Sequence, residues 1–123
     1  MGVNACPFCN DDGAVLRNPL AYARFDRYPV TPGHLLILPL RHIASWFDAA
    51  DEEKAALLDL LEEGKRLLDA EHAPAGYNIG INVGEVAGQT VMHLHVHLIP
   101  RYHGDVANPR GGVRGVIPAR QAY

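Results

Sequence analysis

His93-Leu94-His95-Val96-His97-Leu98-Ile99-Pro100 places a histidine at every second position. Along an extended strand that spacing sends all three rings to one face and Leu94, Val96 and Leu98 to the other. The run therefore predicts a strand from His93 to Pro100 that packs on a core and presents three titratable rings to a pocket. Two chemistries need such a row. Alternating imidazoles can converge on a metal ion, or one ring can act as nucleophile or acid/base while its neighbours orient it and stabilise developing charge. A hydrated histidine face on an edge strand is the simplest alternative.

Working backwards, Gly84-Glu85-Val86-Ala87-Gly88-Gln89-Thr90 is a loop with two glycines, a side-chain amide and a hydroxyl. Such a loop offers backbone N–H groups and polar side chains to an anion. Before it, Tyr77, Ile79, Ile81 and Val83 alternate with Asn78, Gly80 and Asn82, which predicts a half-buried strand over 77–83. The two strands and their loop make a hairpin whose mouth carries histidines, an amide and a hydroxyl together.

The stretch from Gly88 to Arg101, with its His-x-His-x-His run in an apolar frame, resembles the histidine triad (HIT) superfamily of nucleotide hydrolases and transferases. The likeness extends back through Asn82 and Gly84 to Pro32-Gly33-His34-Leu35-Leu36-Ile37-Leu38-Pro39, covering most of the chain from about Asp26 to Arg101. What it implies is an α+β fold: an antiparallel sheet of about five strands with one long helix and short helices, assembling as a homodimer whose two sheets join.

Composition agrees with one domain. A chain of 123 residues with 48% apolar content can bury a core. The expected organisation is a single HIT domain over 1–123, with 1–12 a metal-binding N-terminal segment and 102–123 a basic C-terminal tail. No apolar stretch approaches the about 20 residues needed to span a bilayer. The N-terminus lacks a signal-peptide pattern, and Cys6 stands where a myristoylation motif wants Ser or Thr, so the expectation is a cytoplasmic protein with no membrane partner. Residues 14–25 read as a strand pair broken at Asn18-Pro19, and 35–40 as a short strand ending at Pro39. From Asp51 to Glu71 the period changes: Leu57, Leu60, Leu61, Gly64, Leu67 and Leu68 follow helical spacing, with charged residues on the outer face. Asp51 is the expected N-cap, and Pro74-Ala75-Gly76 stops the helix.

Charge points to the ligand. The chain carries −3 overall, yet residues 101–123 hold four arginines against Asp105 alone, so the tail is +3 and the remainder −6. Arg110 and Arg114 are candidates for phosphate contact because the guanidinium fork suits phosphate oxygens; a flexible basic tail is the equal alternative. An acidic domain without an extended basic surface excludes specific nucleic-acid binding as the main activity.

Cys6-Pro7-Phe8-Cys9 has the spacing of half a zinc site, and a reducing compartment disfavours a disulfide. On chemistry alone, His34, His42, His72, His93, His97 and His103 are all available to complete it. The resemblance selects among them. Zinc-containing relatives use the cysteine pair, a histidine after the proline-glycine strand, and the first triad histidine, which here are Cys6, Cys9, His42 and His93. The zinc is then structural, closed by four protein ligands.

The resemblance also assigns roles. His95 attacks the α-phosphorus of a nucleotide, a nucleotidyl-histidine forms, and water releases a nucleoside monophosphate. His97 hydrogen-bonds a phosphate oxygen; Gln89 and Thr90 hold phosphate or the departing group; Asp26 binds ribose hydroxyls; Asn82 and Gly88 help position the phosphate; His34 supports the pocket wall. Apart from the resemblance, Tyr22, Phe25 and Leu35 are candidates for a base wall, with the core as the commoner place for apolar residues near strands. Histidine rather than glutamine at position 97 favours a hydrolase over a transferase. The expected substrate is a dinucleoside polyphosphate with adenosine as base. Nucleoside phosphoramidate hydrolysis, and a nucleotide-sensing or metal-binding module with little turnover, are the alternatives.

Overall fold

The computed structural model describes residues 6–123; the first five residues of the expected 1–12 segment lie outside them. Five antiparallel strands form one sheet in the order β1-β2-β3-β5-β4: β1 (Leu16–Arg17), β2 (Ala21–Phe25), β3 (Leu35–Pro39), β4 (Gly76–Ile81) and β5 (Val96–Arg101). One long helix, α1 (Asp51–His72), crosses between β3 and β4. Short 3₁₀ turns complete the described residues, and no helix among them is long and apolar enough to cross a membrane.

Register assigns each face of the sheet. Phe25, Leu35, Leu98 and Ile79 stand opposite one another on successive strands, as do Arg24, Leu36, His97 and Gly80. Because side chains alternate across a strand, the two rows point to opposite faces. The first face carries Ala21, Ala23, Leu35, Ile37, Val96 and Leu98 against Leu57, Leu60 and Leu68 of α1, forming the main core. Gly64 lets the helix lie close: a Cβ there would stand 2.8 Å from Leu35 Cδ2 and 3.3 Å from Leu98 Cδ2. The second face carries Tyr22, Leu36 and Leu38, covered by Phe8 and Ala14 of the N-terminal segment. His97 belongs to this second face.

The helix spans its predicted length with one change at its start. Ala50, not Asp51, is the N-cap, and Asp51 is the first helical residue. The Glu53 carboxylate accepts the Ala50 N–H at 2.8 Å and is held by Arg41 at 2.7 and 3.0 Å, so a tertiary ion pair replaces the side-chain cap that the sequence suggested. Ala73 ends the helix in the left-handed conformation, φ 46°, and Pro74 forbids its continuation.

The tail departs from expectation. Residues 112–116 form an ordered 3₁₀ turn beside β4, and residues 118–120 form a second one packed on the first. Arg110 and Arg114 both stack on Tyr123, at 4.6 and 5.0 Å from its ring centroid, and Arg114 donates to the carbonyl oxygens of Gln121 and Arg120. Arginine is thus spent on closing the C-terminus upon itself.

Candidate functional site

The triad does not lie on one strand. β5 begins at Val96, and residues 91–95 are irregular. The strand predicted from His93 therefore starts three residues late. Backbone pairing leaves the sheet here: Leu94 N–H donates to Ile43 O at 2.6 Å, which drives Leu94 into the core and His93 the other way. The three histidines consequently serve two environments, His93 the cysteine pair and His95 with His97 a shared cavity.

His93 is fully buried and faces the cysteine knuckle. Its Nδ1 lies 3.5 Å from Cys6 Sγ, 3.6 Å from Cys9 Sγ and 3.2 Å from His42 Nδ1, while Cys9 Sγ lies 3.1 Å from His42 Nδ1. All four ligand atoms fall within 4.8 Å of one another. A tetrahedral zinc centre with Zn–S about 2.3 Å and Zn–N about 2.05 Å has S···N edges of about 3.5 Å and N···N edges of about 3.3 Å. The donors sit at that spacing, and their chemistry, two thiols and two imidazoles, fits a closed metal site. His93 Nε2 donates to Pro39 O at 2.9 Å, which leaves Nδ1 unprotonated toward the cysteines.

Tyr22 holds the knuckle to the sheet. Its hydroxyl donates to Phe8 O at 2.6 Å, with Asn10 O at 3.3 Å. Tyr22 and Leu35 are buried in the two cores, and Phe25 is partly exposed on the helix side. None of the three walls the cavity around His95, and Tyr22 and Leu35 take the core alternative. Phe8 takes that place: its ring meets His95 edge-on at 5.0 Å and His93 at 6.2 Å.

His95 and His97 line one cavity of about 330 Å³ with Phe8, Arg24, Asp26, Leu36, Asn82 and Thr90. Gly88 and Arg27 border it as well. His95 Nδ1 donates to His93 O at 2.8 Å, so the lone pair is on Nε2. His97 is set by a chain of bonds. Val30 N–H donates to His34 Nδ1 at 3.0 Å, which puts the His34 proton on Nε2, from where it reaches His97 Nδ1 at 2.9 Å. The His97 proton is then on Nε2. Burial, with the neighbouring imidazoles, pushes the His97 pKa down to about 4. Burial likewise holds His34 below its ordinary value, partly countered by Asp26, whose carboxylate lies 3.5 Å from His34 Nε2. Both rings are neutral at pH 7.

Two candidates from the glycine loop part company. Thr90 borders the cavity. Gln89 is buried, and its amide is fully engaged: Oε1 accepts Gly84 N–H at 2.9 Å, and Nε2 donates to Ala44 O at 2.8 Å and Val91 O at 3.2 Å. Gln89 braces the loop rather than facing the cavity. The loop's Gly88 and Gln89 N–H groups also turn inward, to Glu85 O and Gly84 O. Gly84 and Gly88 adopt φ of 92° and 98°, a region that favours glycine. Arg110 and Arg114 are absent from the cavity lining. Arg24, Phe8 and Leu36 were missed from sequence; the alternation of β2 and β3 held the signal, since Arg24 and Leu36 share the His97 row.

A family model described as "HIT domain" matches residues 9–104. The chain is 38% identical over 98 residues to AP-4-A phosphorylase of Mycobacterium tuberculosis, covering 78% of this chain and 50% of that protein. It is 35% identical over 89 residues to the asymmetrical bis(5'-nucleosyl)-tetraphosphatase of Schizosaccharomyces pombe, covering 72% of this chain and 49% of that one. The chain thus spans about half the length of these relatives. A zinc-bound histidine triad family protein from Mycobacterium smegmatis superimposes with a TM-score of 0.74 at 31% identity, covering 85% of this chain and 80% of that one.

Proposed function

The chain belongs to the HIT domain family, and on that premise we propose that it is a nucleotide phosphohydrolase. It cleaves dinucleoside polyphosphates, diadenosine compounds among them, at the α-phosphate through a nucleotidyl-histidine on His95. The observation that carries this reading is the pair of fixed tautomers. His95 keeps its Nε2 lone pair free because Nδ1–H is tied to His93 O, and His97 keeps an Nε2–H because its Nδ1 is occupied by His34. One cavity therefore holds a nucleophile beside a neutral hydrogen-bond donor.

In the first step the His95 Nε2 lone pair forms a bond to the α-phosphorus, and the bond to the bridging oxygen breaks. The departing phosphate leaves with that electron pair. His97 Nε2–H donates to a non-bridging oxygen, and Thr90 and Asn82 hold the same group. Water then forms a bond to the phosphorus and gives up a proton to solvent, while the P–Nε2 bond breaks with its electron pair returning to His95 and nucleoside monophosphate departs. Asp26, a two-oxygen acceptor in the same cavity, takes the ribose hydroxyls. The names of the two relatives favour a dinucleoside tetraphosphate over a phosphoramidate.

Cys6, Cys9, His42 and His93 hold a structural zinc in this reading, as their spacing and the zinc-bound neighbour support. That ion fixes the fold of the knuckle and leaves no open position for substrate. The assembly is a homodimer, joined along β4, an edge strand whose Ile79 is half exposed. Two free thiols in a metal-ligand set suit the reducing cytoplasm.

Turnover of diadenosine tetraphosphate in water labelled with heavy oxygen tests the chemistry. The label is expected in adenosine monophosphate. Label in the triphosphate product overturns attack at the α-phosphorus.

A further inference from the structure

Arg24 stands between the core residues Ala23 and Phe25 but turns to the opposite face, opposite Leu36, which stands opposite His97. Two strand spacings of about 4.8 Å separate Arg24 from His97 across the sheet, roughly 10 Å. A nucleotide whose phosphate lies at His97 reaches that far with its base. The wall in between is Phe8, Leu36 and Asp26. Phe8 and Leu36 suit the flat apolar faces of a base, and the Asp26 carboxylate repels a run of phosphates on this side.

The guanidinium is underused. Its carbon lies 5.7 Å from the Phe8 ring centroid, and Nη1 makes a long 3.4 Å bond to Pro7 O. Among the described residues no carboxylate pairs with it. Guanidinium has five N–H donors and no acceptor, so this part of the wall offers donors alone.

Resting on the nucleotide reading above, we propose that Arg24 reads the base and favours a purine with a carbonyl at C6, guanine or hypoxanthine, over adenine. Guanine and hypoxanthine present O6 and N7 as adjacent acceptors, which the arginine fork pairs in a bidentate manner. Adenine sets an amino donor beside N7, so one arginine N–H faces another donor. Adenine still enters, with one bond fewer and one donor unpaired. Glutamine is the residue type whose amide matches adenine N6 and N7.

The intact chain is titrated calorimetrically with guanosine, inosine and adenosine monophosphates, and kcat/KM is measured for diguanosine and diadenosine tetraphosphates. Guanosine and inosine monophosphates are expected to bind about tenfold tighter than adenosine monophosphate, a modest bidentate contact. Arg24→Leu should erase the ratio and Arg24→Gln invert it, with melting temperatures recorded for both. The wild-type ratio needs no variant to be read. Equal wild-type affinities overturn the base assignment while diadenosine cleavage keeps the hydrolase reading. A uniform loss of all three ligands in Arg24→Leu places the arginine on phosphate and also overturns it. No binding and no cleavage of any of them overturns the nucleotide reading itself.

Discussion

The His93 carbonyl oxygen accepts the His95 Nδ1 proton at 2.8 Å, while the ring of His93 turns away to Cys6, Cys9 and His42. One residue thereby joins the ligand cluster to the proposed nucleophile through its own backbone. Anything that frees the His93 ring also frees the carbonyl that fixes the His95 tautomer.

Cys6→Ser should therefore lower zinc content and melting temperature first, and kcat by about tenfold, in the range of a lost outer-shell partner. Elemental analysis, thermal unfolding and turnover on the same preparation read the three effects. Metal-free wild-type protein purified without chelator, melting at the same temperature as Cys6→Ser, contradicts the site.

Acid should destabilise the protein through His97. Its folded pKa is depressed to about 4 from 6.5, so between those values the unfolded chain binds more protons than the folded one. Stability is complete above pH 6.5 and falls as pH drops toward 4, by at most about 3 kcal/mol from this ring. Urea unfolding across that window should show a flatter dependence in His97→Gln than in wild type. Parallel curves contradict the depressed pKa.

Tyr22→Phe removes the side-chain hydroxyl that ties the knuckle to β2, leaving Phe8 O without its 2.6 Å partner. The expected cost is about 1–2 kcal/mol, together with faster zinc loss to a chelator. Unchanged unfolding and unchanged metal release contradict the anchoring role.

Sequence periodicity revealed what periodicity governs. The leucine spacing of α1 and the alternation of Val96, His97 and Leu98 predict the helix and the two faces of β5 correctly, because both rest on a repeated burial pattern. The same alternation misplaced His93, which turns to the cysteines, and placed His95 in the right cavity but on a strand that begins only after it. A ligand cluster and the Leu94–Ile43 backbone bond, both long-range, end the strand at Val96. Tyr22 and Phe25 looked like pocket aromatics because their strand was recognised but the covering of each face was not. Arg24 was overlooked for the same reason. Tail charge suggested phosphate, whereas the local stack on Tyr123 claims the arginines.

The double variant Arg110→Ala, Arg114→Ala should consequently leave KM for a dinucleoside polyphosphate within about twofold, since surface changes away from a site have small effects. Limited proteolysis of the segment after residue 109 should quicken instead, because the clasp on Tyr123 is lost. A large rise in KM that salt diminishes would return these arginines to the substrate.

Acid-quenched intact mass, followed by peptide mapping, during turnover of diadenosine tetraphosphate tests the central claim most directly. A nucleotidyl adduct on His95 is expected in the wild type, with adduct and nucleotide release both lost in His95→Asn at an unchanged circular dichroism spectrum. An adduct on another residue, or undiminished turnover by His95→Asn, contradicts the account.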